Sequence, residues 1–299
     1  MRILILGGAG FIGSHLAERL RSDGHSVTTV DLEDGADLFA DLTSETAWSF
    51  LGTSWDHVYM LAAMVGVSAV ERDPRLTLEV NVRTVQHLLH WLPTSARLFF
   101  ASTSEVYAGS VMAGIAPIPT PERVPLSVPD LGNPRFAYAT SKILGESVVT
   151  WSGAEAVIGR FHNVYGPRMG RDHAIPALTR RLAADTPLVP IYGAEQTRAF
   201  CYVTDAVDAM VRLMATDYQG VVNIGNDTEE ITVEELAGEI GYVLDLDTGD
   251  VTIDRKPAPA GSVPRRCPDL TLLRSLTGYE PSVKLTDGLV PTVEWVLRS

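Results

Sequence analysis

The chain of 299 residues, 45% hydrophobic and 20% charged, is long enough for one large domain or a core with a smaller satellite, and its composition excludes disordered, collagen-like and coiled-coil classes. With 24 basic residues against 37 acidic the net charge is −13, a poor match to nucleic acid or an anionic membrane, so an anionic ligand has to be held by local arginines. No run approaches about eighteen apolar residues, Met1-Arg2 leads straight into an apolar strand, and Cys201 and Cys267 have no clustered partners; a cytoplasmic protein without disulfides or a metal is expected.

Short β-branched or apolar runs alternate with stretches of helical period, which indicates βαβ units and a parallel sheet. The first strand is expected over Arg2 to Leu6. It runs into Gly7-Gly8-Ala9-Gly10-Phe11-Ile12-Gly13 and a helix with Ile12, Leu16, Ala17 and Leu20 on one face. Glycines at 7 and 10 remove the Cβ atoms that would keep a pyrophosphate from the backbone N–H groups and the helix N-terminus. The second strand, Ser26 to Val30, ends at Asp31, which can accept hydrogen bonds from the adenosine ribose hydroxyls. A 2′-phosphate there would be repelled by Asp31 and nearby Glu33, so NAD is expected in preference to NADP.

A third strand is expected over Asp56 to Leu61, then a long helix with Leu76, Val80, Thr84, Leu88 and Trp91 on one face, ending before Pro93. Strands at Arg97 to Ala101, Ala156 to Phe161 and Val221 to Ile224 follow, with a helix over Tyr138 to Trp151. From Ala108 to Arg135 the prolines at 117, 119, 121, 125, 129 and 134 exclude a long helix or a central strand. The resulting loop lies between two segments argued below to be catalytic, and a substrate-covering role is expected of it. The region from Asp245 to Pro268 mixes turns with prolines and ends in Arg265-Arg266. The expected fold is α/β: a Rossmann-type doubly wound parallel sheet, residues 1–165 with about 200–225, and a smaller C-terminal substrate-binding lobe, residues 166–199 and 226–299.

Only three basic residues are lysine, Lys142, Lys256 and Lys284, so a lysine here marks a place where its own chemistry is needed. Tyr138 and Lys142 are four apart on a predicted helix and share a face. A free phenol titrates near ~10, so a tyrosine base near neutrality needs about 4 kcal/mol of help. An ammonium at ~4 Å in an effective dielectric of ~20 supplies about that much. The competing reading is a surface tyrosine beside a cation.

The spacing Gly-x-x-Gly-x-x-Gly resembles that of the short-chain dehydrogenase/reductase superfamily, in particular the extended branch that modifies nucleotide-linked sugars. Ala101-Ser102-Thr103-Ser104-Glu105-Val106-Tyr107, Tyr138-Ala139-Thr140-Ser141-Lys142, Arg160-Phe161-His162-Asn163-Val164-Tyr165-Gly166-Pro167, Gln196-Thr197-Arg198-Ala199-Phe200, Asn223-Ile224-Gly225 and Arg266-Cys267-Pro268-Asp269 continue the resemblance in order along nearly the whole chain. It implies that Gly7, Gly10, Phe11, Ile12, Gly13, Asp31, Asp41, Leu42, Leu61, Ala62, Ala63 and Asn81, with Tyr138 and Lys142, hold NAD. It implies Thr103, Glu105, Tyr138 and Lys142 in catalysis, and Thr103, Asn163, Arg198 and Arg266 on the substrate. Thr-Ser-Glu at 103–105 is similar to the triplet of UDP-glucuronate decarboxylases and various sugar epimerases, whereas 4,6-dehydratases usually carry Thr-Asp-Glu.

Two departures fall near the expected sugar pocket: the loop Tyr192 to Gln196 is one residue short, and Ala108 replaces the usual glycine. The implied function is NAD-dependent modification of a nucleoside-diphosphate sugar through a transient keto sugar. Epimerisation comes first, with uronate decarboxylation or dehydration as alternatives. A homodimer through the helices around Leu76 to Trp91 and Tyr138 to Trp151 is also implied. A non-catalytic NAD sensor is disfavoured by the tyrosine–lysine pair, and a simple alcohol dehydrogenase by the C-terminal lobe and its arginines. The alternative for Glu105 is a structural carboxylate bound to backbone or to an arginine.

Overall fold

The computed structural model describes residues 1–184, 188–246 and 252–299. Seven parallel strands form the central sheet in the spatial order Gly220–Ile224, Ala156–Phe161, Arg97–Thr103, His57–Met60, Arg2–Leu6, Ser26–Asp31, Leu38–Phe39. Chain order reverses between Arg2–Leu6 and His57–Met60. Such a reversal opens a crevice beyond the carboxyl ends of the strands, where open α/β sheets bind their ligands.

Both faces of this sheet are covered, so its strands read as continuous apolar runs. Ile3, Ile5 and Phe99 pack with Leu16, Leu20 and Met210 on one side, while Leu4, Leu6, Leu98 and Phe100 pack with Val85 and Leu88 on the other. A third core joins Ile175, Leu178, Val189, Ile191, Leu236, Ile240, Leu289 and Val293 in the C-terminal half.

The helix Pro74–Trp91 starts from Asp73, whose carboxylate accepts from the Leu76 N–H at 2.8 Å, and ends before Pro93 as expected. Its buried face matches the expected one in part: Thr84 and Leu88 are buried as expected, Thr77, Asn81 and Val85 join them, and Leu76 is 42% exposed. Small polar side chains can line the core here because their hydrogen bonds are met locally, Thr77 by the Asp73 carbonyl and Thr84 by the Val80 carbonyl.

The proline-rich segment is irregular apart from a short helix, Ala108–Met112, and a 3₁₀ turn, Pro134–Phe136. It is sewn to the central sheet: Asn223 donates to the Thr120 carbonyl, and the Glu122 carboxylate accepts from the Asn223 N–H. Within Asp245 to Pro268, residues 247–251 lie outside the described residues. The rest supplies Thr252–Lys256, paired with Leu188–Tyr192, and Arg265–Arg266, paired with Thr197–Ala199 so that Arg266 stands opposite Arg198. Among the described residues no helix is long and apolar enough to cross a membrane, and no three His, Cys, Asp or Glu gather around a possible metal position.

Candidate active site

The turn after the first strand depends on its glycines. Gly7 has φ 88°, and a Cβ there would sit 2.5 Å from the Ala62 nitrogen; one at Gly13 would sit 2.0 Å from the Gly7 carbonyl oxygen. The helix Phe11–Ser22 that follows has neither a side-chain N-cap nor an acidic residue in its first turn, so its leading N–H groups are available to an anion. Asp31 braces this turn, accepting from the Ala9 N–H at 3.0 Å and the Leu32 N–H at 2.8 Å. Opposite it, Asp41 accepts from the N–H and hydroxyl of Thr43, and the Trp48 indole N–H fixes the Leu42 carbonyl.

A cleft of about 830 Å³ runs from this turn across the carboxyl ends of the strands. Gly7, Gly10, Phe11, Ile12, Gly13, Asp31, Asp41, Leu42, Leu61, Ala62 and Ala63 line one part of it. Thr103, Glu105, Tyr138, Lys142, Asn163 and Arg266 line the other. The fit to a dinucleotide is that of a cradle which a Cβ would fill, at a helix N-terminus, with an acid placed for a ribose.

Two expected residues lie off the cleft wall. Asn81 accepts from the Met64 N–H and donates to the Met64 carbonyl and the Ser141 hydroxyl, so it pins the segment after His57–Met60 to the helix Ala137–Trp151. Arg198 donates to the carbonyls of Thr197 and Pro264, to the Gln196 side chain and to the Ser262 hydroxyl. Burial, with the Arg266 and Arg135 charges, lowers its pKa to about 9.

At the reacting end, Lys142 is buried, and its ammonium donates to the Ala101 carbonyl at 2.7 Å. It lies 5.0 Å from the Phe100 ring centre and 5.7 Å from that of Tyr138. Burial pulls its pKa down to about 8 against the raising influence of Glu146. The expectation that Lys142 lowers the Tyr138 phenol is not met in the protein alone. Burial pushes Tyr138 up, and the Glu105 charge adds to it. The ammonium stands over the ring face and spends a proton on Ala101.

Ser102 donates to Glu146 at 2.5 Å, whereas the Thr103 hydroxyl accepts from the Glu105 N–H and keeps its own proton to donate. Glu146 in turn is held by Arg160 at 2.5 and 2.8 Å, and Arg160 also reaches the Tyr107 hydroxyl and the Glu122 carbonyl. Behind Lys142 the site therefore rests on a closed, buried network. Asn163, with φ 40°, is turned toward the cleft while its amide donates to the Ala199 carbonyl.

Glu105 is ion-paired with Arg266 at 2.6 Å. Burial raises its pKa, but Arg266, then Arg135 and Arg198, hold the carboxyl below its ordinary range. It is thus bound to an arginine and also faces the cleft.

Sequence reasoning missed Arg135, Arg171 and His173, all on the cleft wall. Arg135 is the one residue of the proline-rich segment that reaches the cleft, and its place three residues before Tyr138 is a usable signal. The segment of Arg171 and His173 has no periodicity to mark it.

A family model for the NAD dependent epimerase/dehydratase family matches residues 3–225. The chain is 32% identical to the UDP-N-acetyl-alpha-D-glucosaminuronate decarboxylase of Bacillus cytotoxicus, covering 98% of this chain and 97% of that one. It is 31% identical to GDP-mannose 3,5-epimerase 1 of Oryza sativa subsp. indica, over 99% and 82% of the two chains. Among solved structures it is similar to an NAD-dependent NDP-hexosamine 5,6-dehydratase of tunicamycin biosynthesis, with TM-score 0.84, 30% identity and coverage of 100% and 98%.

Proposed function

The chain belongs to the NAD dependent epimerase/dehydratase family, and from that premise we propose that it modifies a nucleoside-diphosphate sugar through a transient keto sugar, with epimerisation as the overall reaction. It is an NAD-dependent enzyme of the nucleotide-sugar epimerase, dehydratase and decarboxylase kind. The observation that carries epimerisation is Glu105: an ionised carboxylate on the same wall as Thr103, Tyr138 and Lys142.

NAD, when bound by the glycine turn and the cleft wall, would supply a hydride acceptor and a positive charge. Tyr138 takes the proton of a sugar hydroxyl, and Thr103 donates a hydrogen bond to the same oxygen as it becomes a carbonyl. Lys142 steadies the phenolate charge that Tyr138 carries. The carbonyl acidifies the neighbouring C–H bond, and Glu105, already ionised, is a base for that proton; Arg266 spreads the charge of the enolate. A solvent water returns a proton to the opposite face and inverts the carbon, Glu105 gives its proton back to solvent, and the carbonyl is then reduced again.

Decarboxylation is the second reading. It is favoured by two buried guanidinium nitrogens without a partner, Nε of Arg135 and Nη2 of Arg266, which suit a carboxylate. A 4-keto uronic acid is a β-keto acid: its C–C bond breaks, CO₂ leaves, and the electron pair forms an enolate that takes up a proton.

Glu105→Gln tests the assignment. With the right sugar nucleotide it should form bound NADH and then stall before product. Normal turnover would make Glu105 structural and the reaction a rotation-type epimerisation, and failure to form NADH would place Glu105 in the oxidation step instead. Product mass separates epimerisation from loss of CO₂.

A further inference from the structure

The sugar end of the cleft carries an excess of positive charge that the protein does not neutralise. Around the single carboxylate of Glu105 stand Arg135, Arg198 and Arg266, in a chain whose overall charge is −13. Both terminal nitrogens of Arg198 donate to backbone and side-chain acceptors away from the cleft wall. Arg266 gives one nitrogen to Glu105 and keeps Nη2 buried and unpartnered. Arg135 lines the cleft with Nε buried and unpartnered, and its side chain makes no hydrogen bond or ion pair among the described residues. Buried guanidinium nitrogens without acceptors are costly, and a planar fork is relieved best by a carboxylate or phosphate.

The backbone of Arg135 is fixed. It sits in the turn Pro134–Phe136, where the Asn133 side chain accepts its N–H at 3.1 Å and the next residue, Phe136, is 2% exposed against Ala108 and Val263. That turn leads directly into the helix of Tyr138 and Lys142, so Arg135 serves the reacting end of the cleft.

Resting on the nucleotide-sugar reading above, we propose that the substrate is a nucleoside-diphosphate uronic acid, and that Arg135, with the free nitrogen of Arg266, recognises the carboxylate on its sugar ring. Arg135 is then the specificity-determining residue that separates acidic from neutral sugars, while the diphosphate is bound elsewhere along the cleft.

Calorimetric titration of the NADH-loaded enzyme tests this, because that form binds a hydroxyl sugar without oxidising it. The probes are UDP-glucuronate with UDP-glucose, and GDP-mannuronate with GDP-mannose. In at least one pair the acid should bind about 30-fold more tightly than its neutral partner, the scale of one charge-assisted hydrogen-bonded contact. Arg135→Gln should abolish that preference and leave the neutral sugar within about 3-fold of wild type. Arg135→Lys, which keeps the charge without the fork, should fall between the two and serves if the glutamine variant does not fold. Equal binding of acid and neutral sugar by the wild type would overturn the proposal, as would an equal loss for both in Arg135→Gln, which would place Arg135 on the diphosphate. Binding of none of the four would instead overturn the nucleotide-sugar reading, and this proposal with it.

Discussion

Lys142→Met should stabilise the protein while removing its activity. Burial takes the lysine from its ordinary 10.5 to about 8, which corresponds to about 3 kcal/mol of folding free energy lost wherever the folded protein must carry the ammonium. Below pH 8 both states are charged and the whole penalty is present. Between pH 8 and 10.5 the unfolded chain still binds the proton and the folded one does not, so wild-type stability rises with pH; above 10.5 the penalty is gone. Methionine has no charge to bury but forfeits the hydrogen bond to the Ala101 carbonyl, about 1 kcal/mol. The variant should therefore be about 2 kcal/mol more stable at neutral pH and slightly less stable above pH 10.5. Urea unfolding of both cofactor-free proteins, followed by circular dichroism across that range, measures the difference. Parallel curves, or a variant less stable throughout, would refute the idea that the site holds its lysine against its own desolvation.

Gly13→Ala should reduce NAD affinity by at least about 100-fold and lower the melting temperature, because its Cβ would meet the Gly7 carbonyl oxygen at 2.0 Å and force the turn open. Unchanged affinity by fluorescence titration would mean that the turn does not cradle the cofactor. NADP should bind far more weakly than NAD, and Asp31→Ala should narrow the gap while also weakening NAD, since the Ala9 N–H loses its acceptor. Equal wild-type affinities would remove Asp31 from the ribose site. Leu76, Leu144 and Trp151, at 42%, 44% and 86% exposure, lie on the helices Pro74–Trp91 and Ala137–Trp151 and should be covered in a symmetric dimer. A wild-type monomer in sedimentation at micromolar concentration would exclude that arrangement, and Leu144→Glu should produce one.

Features written in contiguous residues are legible in the sequence. The strand Arg2–Leu6 with its glycine turn, and Tyr138 with Lys142 one helical turn apart, are local patterns with a direct physical reading, and both lie on the one cleft. Features made by register are not legible in this way. Arg266 faces Glu105 because Arg265–Arg266 pairs with Thr197–Ala199 in the lobe, a match no period in the sequence announces. Part of the inward face of Pro74–Trp91 escapes an apolar count because apolar periodicity says nothing of Thr77 and Asn81, whose hydrogen bonds are met in place. The basicity of Tyr138 escapes too, because spacing fixes which face Lys142 shares, not whether its proton is aimed at a ring or at a carbonyl.

Glu105 follows a strand of the central sheet and Arg266 lies on a strand of a three-stranded sheet, so their contact is also a clasp between the two sheets. By thermodynamic reciprocity, any ligand whose negative charge draws Arg266 away from Glu105 weakens that clasp, and anything that pries the sheets apart raises the affinity of Arg266 for an outside anion. Charge on the ligand and the seating of one sheet on the other are thereby linked through a single pair of side chains.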